Sequence, residues 1–387
     1  MSRTRDLGKI ISGNFDVPAA SLDNVTRSNI SDLGTGALSN RNMIINGAMQ
    51  VAQRVSYPST QPAVSYPGYY TVDRWQCMIS GVTSRGVCTI SQAQDAPAEF
   101  RNSLKIAVTT ADTALDAWAE YSIQQRLEGQ DLQRLCKGTS STKEVTISFW
   151  VKSSLTGTYI LEMLDDDNGS RHINKSYTVN SANTWEYKSI TFAGDTAGVL
   201  DNDNNKSMTI SWCLAGGSNF QGSGLQTSWG SLAQTKRQDG QVNFFANTGN
   251  TFQLTACQME VGDTATPFEH RSYGEELTKC QRYYSRLNSD GAVYAEFGLI
   301  AAYDSTQGIA YIQYPITMRA SPTATQVGSF IASGNANLPV TSFTFQNATK
   351  NGIRDHITVA SGFAAKQVFR LRNYNDNDAY IQFDAEL

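Results

Sequence analysis

Charge and histidine are scarce in this 387-residue sequence. Charged residues make up 17% of it, well below the roughly 25% of an average soluble protein, and the formal net charge is −4. Affinity for nucleic acid comes largely from surplus positive charge, so the composition does not indicate a nucleic-acid-binding protein. The three histidines are scattered along the chain, far from the spacing of a zinc site.

Long apolar runs and paired cysteines are missing as well. No run approaches the roughly 18 apolar residues of a membrane-spanning helix, and Met1–Asp6 leads into no apolar signal segment. We therefore expect a soluble chain made in a cytoplasm, without membrane insertion. No C-x-x-C pair occurs, and Cys77, Cys88, Cys213 and Cys257 lie in apolar or alternating runs, which predicts reduced, buried cysteines.

Catalytic motifs are not found either. The sequence contains no H-E-x-x-H, P-loop, G-x-G-x-x-G or G-x-S-x-G motif. Glycosidases use paired carboxylates on β-rich scaffolds. The densest acidic groups of this sequence are Asp165–Asp167 and Asp201 with Asp203. Nothing apolar flanks these loops to raise the pKa of one carboxyl. We predict a protein that is not an enzyme, with a glycan depolymerase as a less favoured alternative.

Asp165 and Asp167 are also candidate ligands of a metal cation. With Gly169 they match the start of a calcium loop, but Ser176 stands where the bidentate glutamate is expected. Asp165 and Asp167 are thus weak metal candidates. Calcium is the one cofactor that the sequence leaves open.

Strand periodicity dominates the middle of the chain. Val145, Ile147, Phe149 and Val151 alternate with Thr146, Ser148, Trp150 and Lys152, which predicts a strand with one apolar face. Similar patterns predict strands at 159–164, 186–192, 207–214 and 252–259, separated by polar turns. Strands in this arrangement, without long helices between them, predict an all-β fold built around an antiparallel jelly-roll sandwich.

Composition divides the chain into segments. Residues 1–40 hold too few large apolar side chains to fold alone and are predicted to anchor the chain to a partner through Leu7, Ile10, Ile11, Phe15 and Leu22. Residues 41–272 form the predicted sandwich. Every tryptophan and cysteine precedes Asn288, so residues 288–387 are predicted to form a second, smaller β domain.

A short helix is predicted between these domains, over residues 273–287. Ser272 and Glu275 form a capping box at its start. A heptad seam then follows at Tyr273, Leu277, Cys280, Tyr284 and Leu287. Two heptads are too few to hold subunits together alone, so the favoured interpretation is a connector packed on the sandwich; a helix on an oligomer axis is the alternative.

Large aromatic rings in polar loops are the most informative feature for function. Such rings stack on the apolar faces of sugars and supply contact area at low entropic cost. The alternative is that each ring plugs one end of the sandwich. The candidates for glycan contact are Tyr66, Tyr69, Tyr70, Phe220 and Trp229.

Three stretches carry a resemblance to a known family. The first reads NRNMIINGAMQVAQR from Asn40 to Arg54, followed by TVDRW from Thr71 to Trp75. The second reads CQMEVGDTATPFE from Cys257 to Glu269, and the third runs from Arg271 to Tyr284. Together they resemble the tail fibres or receptor-binding structural proteins of tailed bacteriophages, of a marine or cyanobacterial type. The resemblance frames residues 40–284.

The resemblance implies a carbohydrate-binding-module-like jelly roll, with Trp75 and Phe268 in its core and Asp73 and Arg74 as a buried pair. It also implies a homotrimeric virion protein, assembled in the host cytoplasm, whose N-terminus docks on other tail proteins and whose β domains contact host polysaccharide or lipopolysaccharide without catalysis. A structural tail or capsid component that binds no glycan is the alternative.

Overall fold

The computed structural model describes residues 40–54, 60–83, 86–167 and 169–387. Within these residues the chain is all-β, with a single α-helix among 22 strands. None of the described helices is long and apolar enough to cross a bilayer. The predicted anchor lies outside the described residues, together with Leu7, Ile10, Ile11, Phe15 and Leu22.

Two antiparallel sheets form a jelly-roll sandwich. The first sheet has the strand order β1 (Thr60–Val64), β4 (Val87–Ala93), β5 (Ser103–Thr110), β13 (Thr251–Val261), β7 (Val145–Ser153) and β10 (Glu186–Phe192). The second has the order β12 (Gly230–Ser231), β9 (Arg171–Val179), β8 (Gly157–Asp165), β11 (Lys206–Gly216), β6 (Glu120–Glu128), β3 (Gln76–Ser80) and β2 (Gly68–Tyr69).

The core between these sheets follows the predicted alternation. Inward residues of β7 such as Phe149 are fully buried and meet Trp212 of β11, whose ring lies 5.2 Å from that of Trp75. The predicted core position of Trp75 is therefore confirmed, whereas Phe268 lies outside the core, half-buried against Phe100. All the cysteines are free, and those predicted to be buried are buried.

Residues after the sandwich form a second core. A closed six-stranded barrel has the order β15 (Glu296–Ala302), β16 (Gln307–Gln313), β20 (Gly352–Val359), β19 (Asn337–Gln346), β18 (Phe330–Ser333) and β21 (Val368–Asn373). A three-stranded sheet beside it has the order β14 (Tyr284–Asn288), β22 (Tyr380–Asp384) and β17 (Thr323–Val327). The barrel core contains Ile300, Ile357 and Leu371.

The predicted helix is shorter than expected. It begins after the Ser272 cap, whose hydroxyl accepts a hydrogen bond from the Glu275 backbone N–H at 3.3 Å, and α1 spans Tyr273–Gln281. The heptad seam over Tyr273, Leu277, Cys280, Tyr284 and Leu287 is wrong. Tyr284 and Leu287 belong to β14, because the chain there pairs with β22, which lies far along the sequence. At the start of the helix Tyr273 is 57% exposed, and Leu277 is half-buried.

The motifs of the resemblance meet at the junction of these parts. The Met43 backbone N–H donates to the Met259 carbonyl at 2.9 Å, and the Cys257 N–H donates to the Gly47 carbonyl at 3.0 Å. The first motif thus lies directly against the second. The third stretch lies against the first as well, since the Arg271 guanidinium donates to the Ile44 carbonyl at 3.0 Å.

Asp73 and Arg74 are both buried, but they do not form the predicted pair. Asp73 accepts hydrogen bonds from Gln53, at 2.5 Å, and from Arg54, at 3.4 Å. Arg74 instead contacts Glu386 and stacks on Tyr283. The backbone explains the difference, since Arg74 has a left-handed φ of 74°, and the two side chains leave the turn in different directions.

Candidate functional site

In the predicted cluster of tyrosines, Tyr66 has the most exposed ring. Tyr66 is 61% exposed, while Tyr70 is half-buried against the sandwich core and donates its hydroxyl to the Tyr66 carbonyl at 2.7 Å. The Tyr69 hydroxyl points inward and donates to the Leu387 carbonyl at 3.2 Å. Burial raises the pKa of Tyr69 to about 12. Tyr69 therefore stabilises the junction instead of facing solvent.

Phe220 and Trp229 also have structural contacts. Phe220 is only 4% exposed, so its prediction as a glycan contact is wrong: its ring lies under Trp118 and 5.1 Å from the Arg237 guanidinium. Trp229 is half-buried, donates its indole N–H to the Ala193 carbonyl at 2.9 Å and lies 4.8 Å from the Lys137 ammonium. Neither ring stands free in a loop.

The carboxylates of Asp165 and Asp167 in the acidic loops have partners within the protein. The ammonium of Lys137 contacts Asp165 and lies 3.0 Å from Asp195, so a side-chain cation already occupies the position beside Asp165. Asp167 accepts a hydrogen bond from the Asp201 backbone N–H at 2.9 Å, which joins the two acidic loops. Among the described residues, no group of three or more His, Cys, Asp or Glu side chains is placed to hold a metal ion.

Open aromatic rings are instead found on the outer face of the first sheet. Trp150 on β7 pairs in register with Tyr187 on β10, and their ring centroids are 5.6 Å apart with an interplanar angle of 57°. Tyr187 is 47% exposed, and Trp150 is half-buried. Side chains alternate across a strand, so both rings point away from the core that Phe149 and Val151 fill.

Hydrogen-bonding groups lie beside these rings. Asp95 accepts hydrogen bonds from the Lys152 ammonium at 2.7 Å, from the Trp185 indole at 3.1 Å and from the Gln253 amide at 3.0 Å. Lys152 and Gln253 face each other on β7 and β13. We call Trp150, Tyr187, Trp185, Asp95 and Lys152 the platform.

Asp95 is ionised at neutral pH. Burial acts to raise the pKa of this carboxyl, but hydrogen bonds from Lys152, Trp185 and Gln253 outweigh that effect and hold the pKa below its usual range. Asp95 is half-exposed, with 46% of its side chain accessible. It is therefore an accessible acceptor fixed in place by three donors.

The segment that follows β13 covers part of this sheet face. The Gln258 side chain, on β13 opposite Ser148 of β7, contacts the segment that follows the strand, and the Glu269 N–H donates to it at 2.8 Å. The rings of Phe100, Phe268 and His270 pack on one another, with centroids about 5 Å apart. The platform is thus the open end of a partly covered face.

The outer face of the second sheet shows the opposite arrangement. Arg237 donates to Glu162 at 2.7 Å and to Glu120 at 3.0 Å, while His172 lies 3.0 Å from Glu162. Glu162 and His172 are fully buried. We call Glu120, Glu162, His172 and Arg237 the ionic cluster.

Charge pairing keeps Glu162 ionised. Burial alone would raise the pKa of Glu162, but the attraction of Arg237 and hydrogen bonds from His172 and Arg237 lower it to about 2. A carboxyl with so low a pKa is ionised and cannot donate a proton as a general acid near neutral pH. The ionic cluster therefore stabilises the fold.

The sequence contains a signal for the platform in the strand pattern of β7. Trp150 occupies the polar register of the β7 pattern, where a large ring must face water or a ligand, and Tyr187 occupies the matching position on the next strand of the sheet. The Asp95 contacts had no such signal, because Lys152, Trp185 and Gln253 are brought to it by strand pairing over long sequence separations.

Comparison with known proteins finds similarity to solved structures only. No protein-family model matches the chain, and no curated protein matches it. Solved structures that match include the enzymatically active domain of tailspike protein 4 of bacteriophage CBA120, at 12% identity and a TM-score of 0.31 over 57% of this chain. The match covers 21% of the tailspike chain, so this chain spans about a fifth of that length.

Carbohydrate-binding modules also match. The family 11 module of a cellulosomal cellulase from Clostridium thermocellum matches at 16% identity and a TM-score of 0.26, over 56% of this chain and 100% of the module. TmCBM61 in complex with β-1,4-galactotriose matches at 9% identity and a TM-score of 0.27, over 57% of this chain and 99% of the module. Scores this low carry no argument about binding or catalysis.

Proposed function

We propose that this chain binds saccharide without catalysis, through the platform on the outer face of the first sheet. The observation that carries the proposal is the pairing of two open rings, Trp150 and Tyr187, beside an ionised acceptor that three donors hold in place. Sugars present an apolar C–H face and a hydroxyl edge. The platform presents a ring surface and, next to it, the Asp95 carboxylate and the Lys152 ammonium.

The chemistry of the platform favours weak binding at each site. Aromatic rings supply contact area with few rotatable bonds, so little entropy is lost when a sugar stacks on them. Asp95 can accept a hydroxyl hydrogen bond without changing its protonation state. A flat sheet face encloses little of its ligand, so affinity is expected to rise chiefly when several sites engage one polymer.

The sequence resemblance extends the proposal to a virion. On that basis the chain is a homotrimeric tail fibre. Its residues 1–40 dock on other tail proteins, and its β domains contact host polysaccharide or lipopolysaccharide. Several platforms on one particle would then raise the effective concentration of binding sites. The resemblance is the support for this extension.

Glycan-array binding of the full chain tests the platform. Trp150→Ala is expected to lower affinity for the bound glycans by at least about ten-fold, which is ~1.4 kcal/mol. Trp118→Ala is the matched control, because Trp118 is 54% exposed and lies away from the first sheet. Equal losses in both variants, or no binding to any glycan or host cell, would contradict the proposal.

Two tyrosine variants distinguish binding by the platform from binding by the tyrosine cluster that the sequence predicted. Tyr187→Ala removes a platform ring, and Tyr66→Ala removes a ring of comparable exposure from the predicted cluster. The platform proposal expects a loss of binding only for Tyr187→Ala. Release of oligosaccharides from host capsule or lipopolysaccharide would establish a depolymerase instead.

The virion extension has its own test. Peptides of this chain are expected in purified particles of a phage that encodes it, and light scattering of the chain is expected to give about three times 42.3 kDa. Particles without these peptides would remove the virion assignment, and a monomer in solution would remove the trimer. Neither result would affect saccharide binding by the platform.

A further inference from the structure

We propose that the outer face of the barrel holds a second binding site, for carboxylated polysaccharide. This site does not rest on the platform proposal, since it lies on another part of the chain and differs in chemistry. It consists of exposed apolar residues between two arginines whose hydrogen-bonding capacity is incompletely used.

The apolar part spans three neighbouring strands. Leu299 on β15, Tyr311 on β16 and Val368 on β21 are each 61% or 62% exposed. Between them, Ala301 pairs in register with Val368 on one side and with Ile309 on the other. Single exposed apolar residues are ordinary, but a contiguous group of them marks an interaction surface. We call these five residues the barrel patch.

An arginine lies at each end of this patch. Arg370 pairs in register with Leu299, and Arg354 pairs with Tyr311 on the far side. The two arginines are on β21 and β20, with β15 and β16 between them. With neighbouring strands ~4.8 Å apart, the backbones that carry the two guanidinium groups are separated by roughly 14 Å.

Both guanidinium groups are only partly engaged. Arg370 is half-exposed and reaches Glu296 and the Ser333 hydroxyl only at 3.5 Å each. Arg354 is half-buried and donates from one terminal nitrogen to the Gln346 amide oxygen, at the long distance of 3.3 Å. Both arginines therefore retain donors for an anionic partner.

Charge complementarity selects the occupant. Arginine binds a carboxylate through two parallel hydrogen bonds, and a sugar ring offers an apolar face to Tyr311 and Leu299. A second copy related by two-fold symmetry would place Arg354 and Arg370 against equal charges, which disfavours association. A neutral partner would bring no carboxylate to either arginine. A polymer of uronic acids offers an apolar face to the barrel patch and carboxylates to the two arginines.

Isothermal titration of the full chain with polygalacturonate, alginate and hyaluronate tests the site. Fully methyl-esterified polygalacturonate is the matched probe, because it has the same sugar without the charge. Binding of at least one acidic polymer is expected, with affinity that falls as NaCl rises, since salt screens exposed charges. Binding of none of the three, or equal binding of the esterified polymer, overturns the proposal.

Variants locate the site on the barrel. Arg354→Gln combined with Arg370→Gln is expected to weaken binding roughly 100-fold, about ten-fold for each charge-assisted contact. Arg101→Gln, an exposed arginine of the sandwich, serves as the matched control. Trp150→Ala is expected to leave this binding unchanged, so failure here and failure of the platform proposal are distinguishable. An unaffected double variant would refute the site.

Leu299→Glu separates the two possible occupants of the barrel patch. The added carboxylate is expected to repel an acidic polymer and to leave the solution mass of the chain unchanged. A fall in the mass measured by light scattering would show instead that the barrel patch joins copies of this chain, and the polysaccharide site would be abandoned.

Discussion

The outer faces of the two sandwich sheets have similar side chains and different accessibility. Each has aromatic rings beside acidic and basic groups. On the second sheet the segment 217–246 folds over the strands, and the ionic cluster is buried with its charges paired internally. On the first sheet, Asp95 and Tyr187 remain open to solvent. Composition therefore does not distinguish a binding face from a structural one, whereas the path of a covering segment does.

The largest expected effect is on stability, when the ionic cluster of the second sheet loses its arginine. Arg237→Ala leaves Glu162 and Glu120 without their shared cation, and loss of one partner of a buried pair costs about 3–5 kcal/mol. We expect the free energy of unfolding, measured by urea denaturation, to fall by that amount. A loss below ~1 kcal/mol would mean that the ionic cluster does not stabilise the fold.

Low pH provides a second test of the ionic cluster. The pKa of Glu162 in the folded chain, about 2, lies below its ordinary value, so its contribution to stability is complete above pH ~4.5 and declines as the pH falls toward 2. At ~1.4 kcal/mol per pH unit, the stability gap between wild type and Glu162→Gln should narrow by about 2 kcal/mol from pH 5 to pH 3. A constant gap in urea denaturation over this range would contradict the assignment.

Lys152→Met tests the platform on the first sheet. Partly exposed ion pairs contribute ~0.2–1 kcal/mol, so the free energy of unfolding should change by less than 1 kcal/mol. Saccharide binding should nevertheless weaken, because Asp95 loses one of the donors that orient it. Lys188→Met is a suitable control, since Lys188 pairs with Glu186 on the same sheet and lies outside the platform. Equal effects of the two variants on binding would count against the platform.

The smallest effect concerns the pH dependence of binding. The pKa of Asp95 is held below its usual range of ~3.9, so saccharide affinity should stay constant from pH 8 to pH 5. Affinity electrophoresis across this range provides the measurement. A decline centred near pH 6 would point to a different titrating group at the binding site.

Local patterns predicted the fold better than the site. The alternation at Val145–Val151 predicted β7, and residues 186–192 were predicted within the bounds of β10, because one buried face imposes a period of two on the sequence. The helix was predicted too long, because pairing of β14 with β22 depends on residues nearly a hundred positions away. No local pattern contains that contact.

Accessibility explains the error at Phe220. Its Gly- and Ser-rich surroundings predicted an exposed loop, but Arg237 binds Glu162 from the same covering segment and holds the ring against the sheet. Trp150, by contrast, stands in the β7 alternation at a position that a polar residue normally occupies. A ring on the polar register of a strand predicts an open surface more directly than a ring in a polar loop.

Selective labelling of the tryptophans tests saccharide binding by the platform most directly. The indole N–H resonances can be followed by NMR while the full chain is titrated with an oligosaccharide identified on the array. The platform predicts shifts for Trp150 and Trp185, with Trp118 and Trp229 unchanged. Shifts at Trp118 or Trp229 while Trp150 and Trp185 stay in place would contradict it.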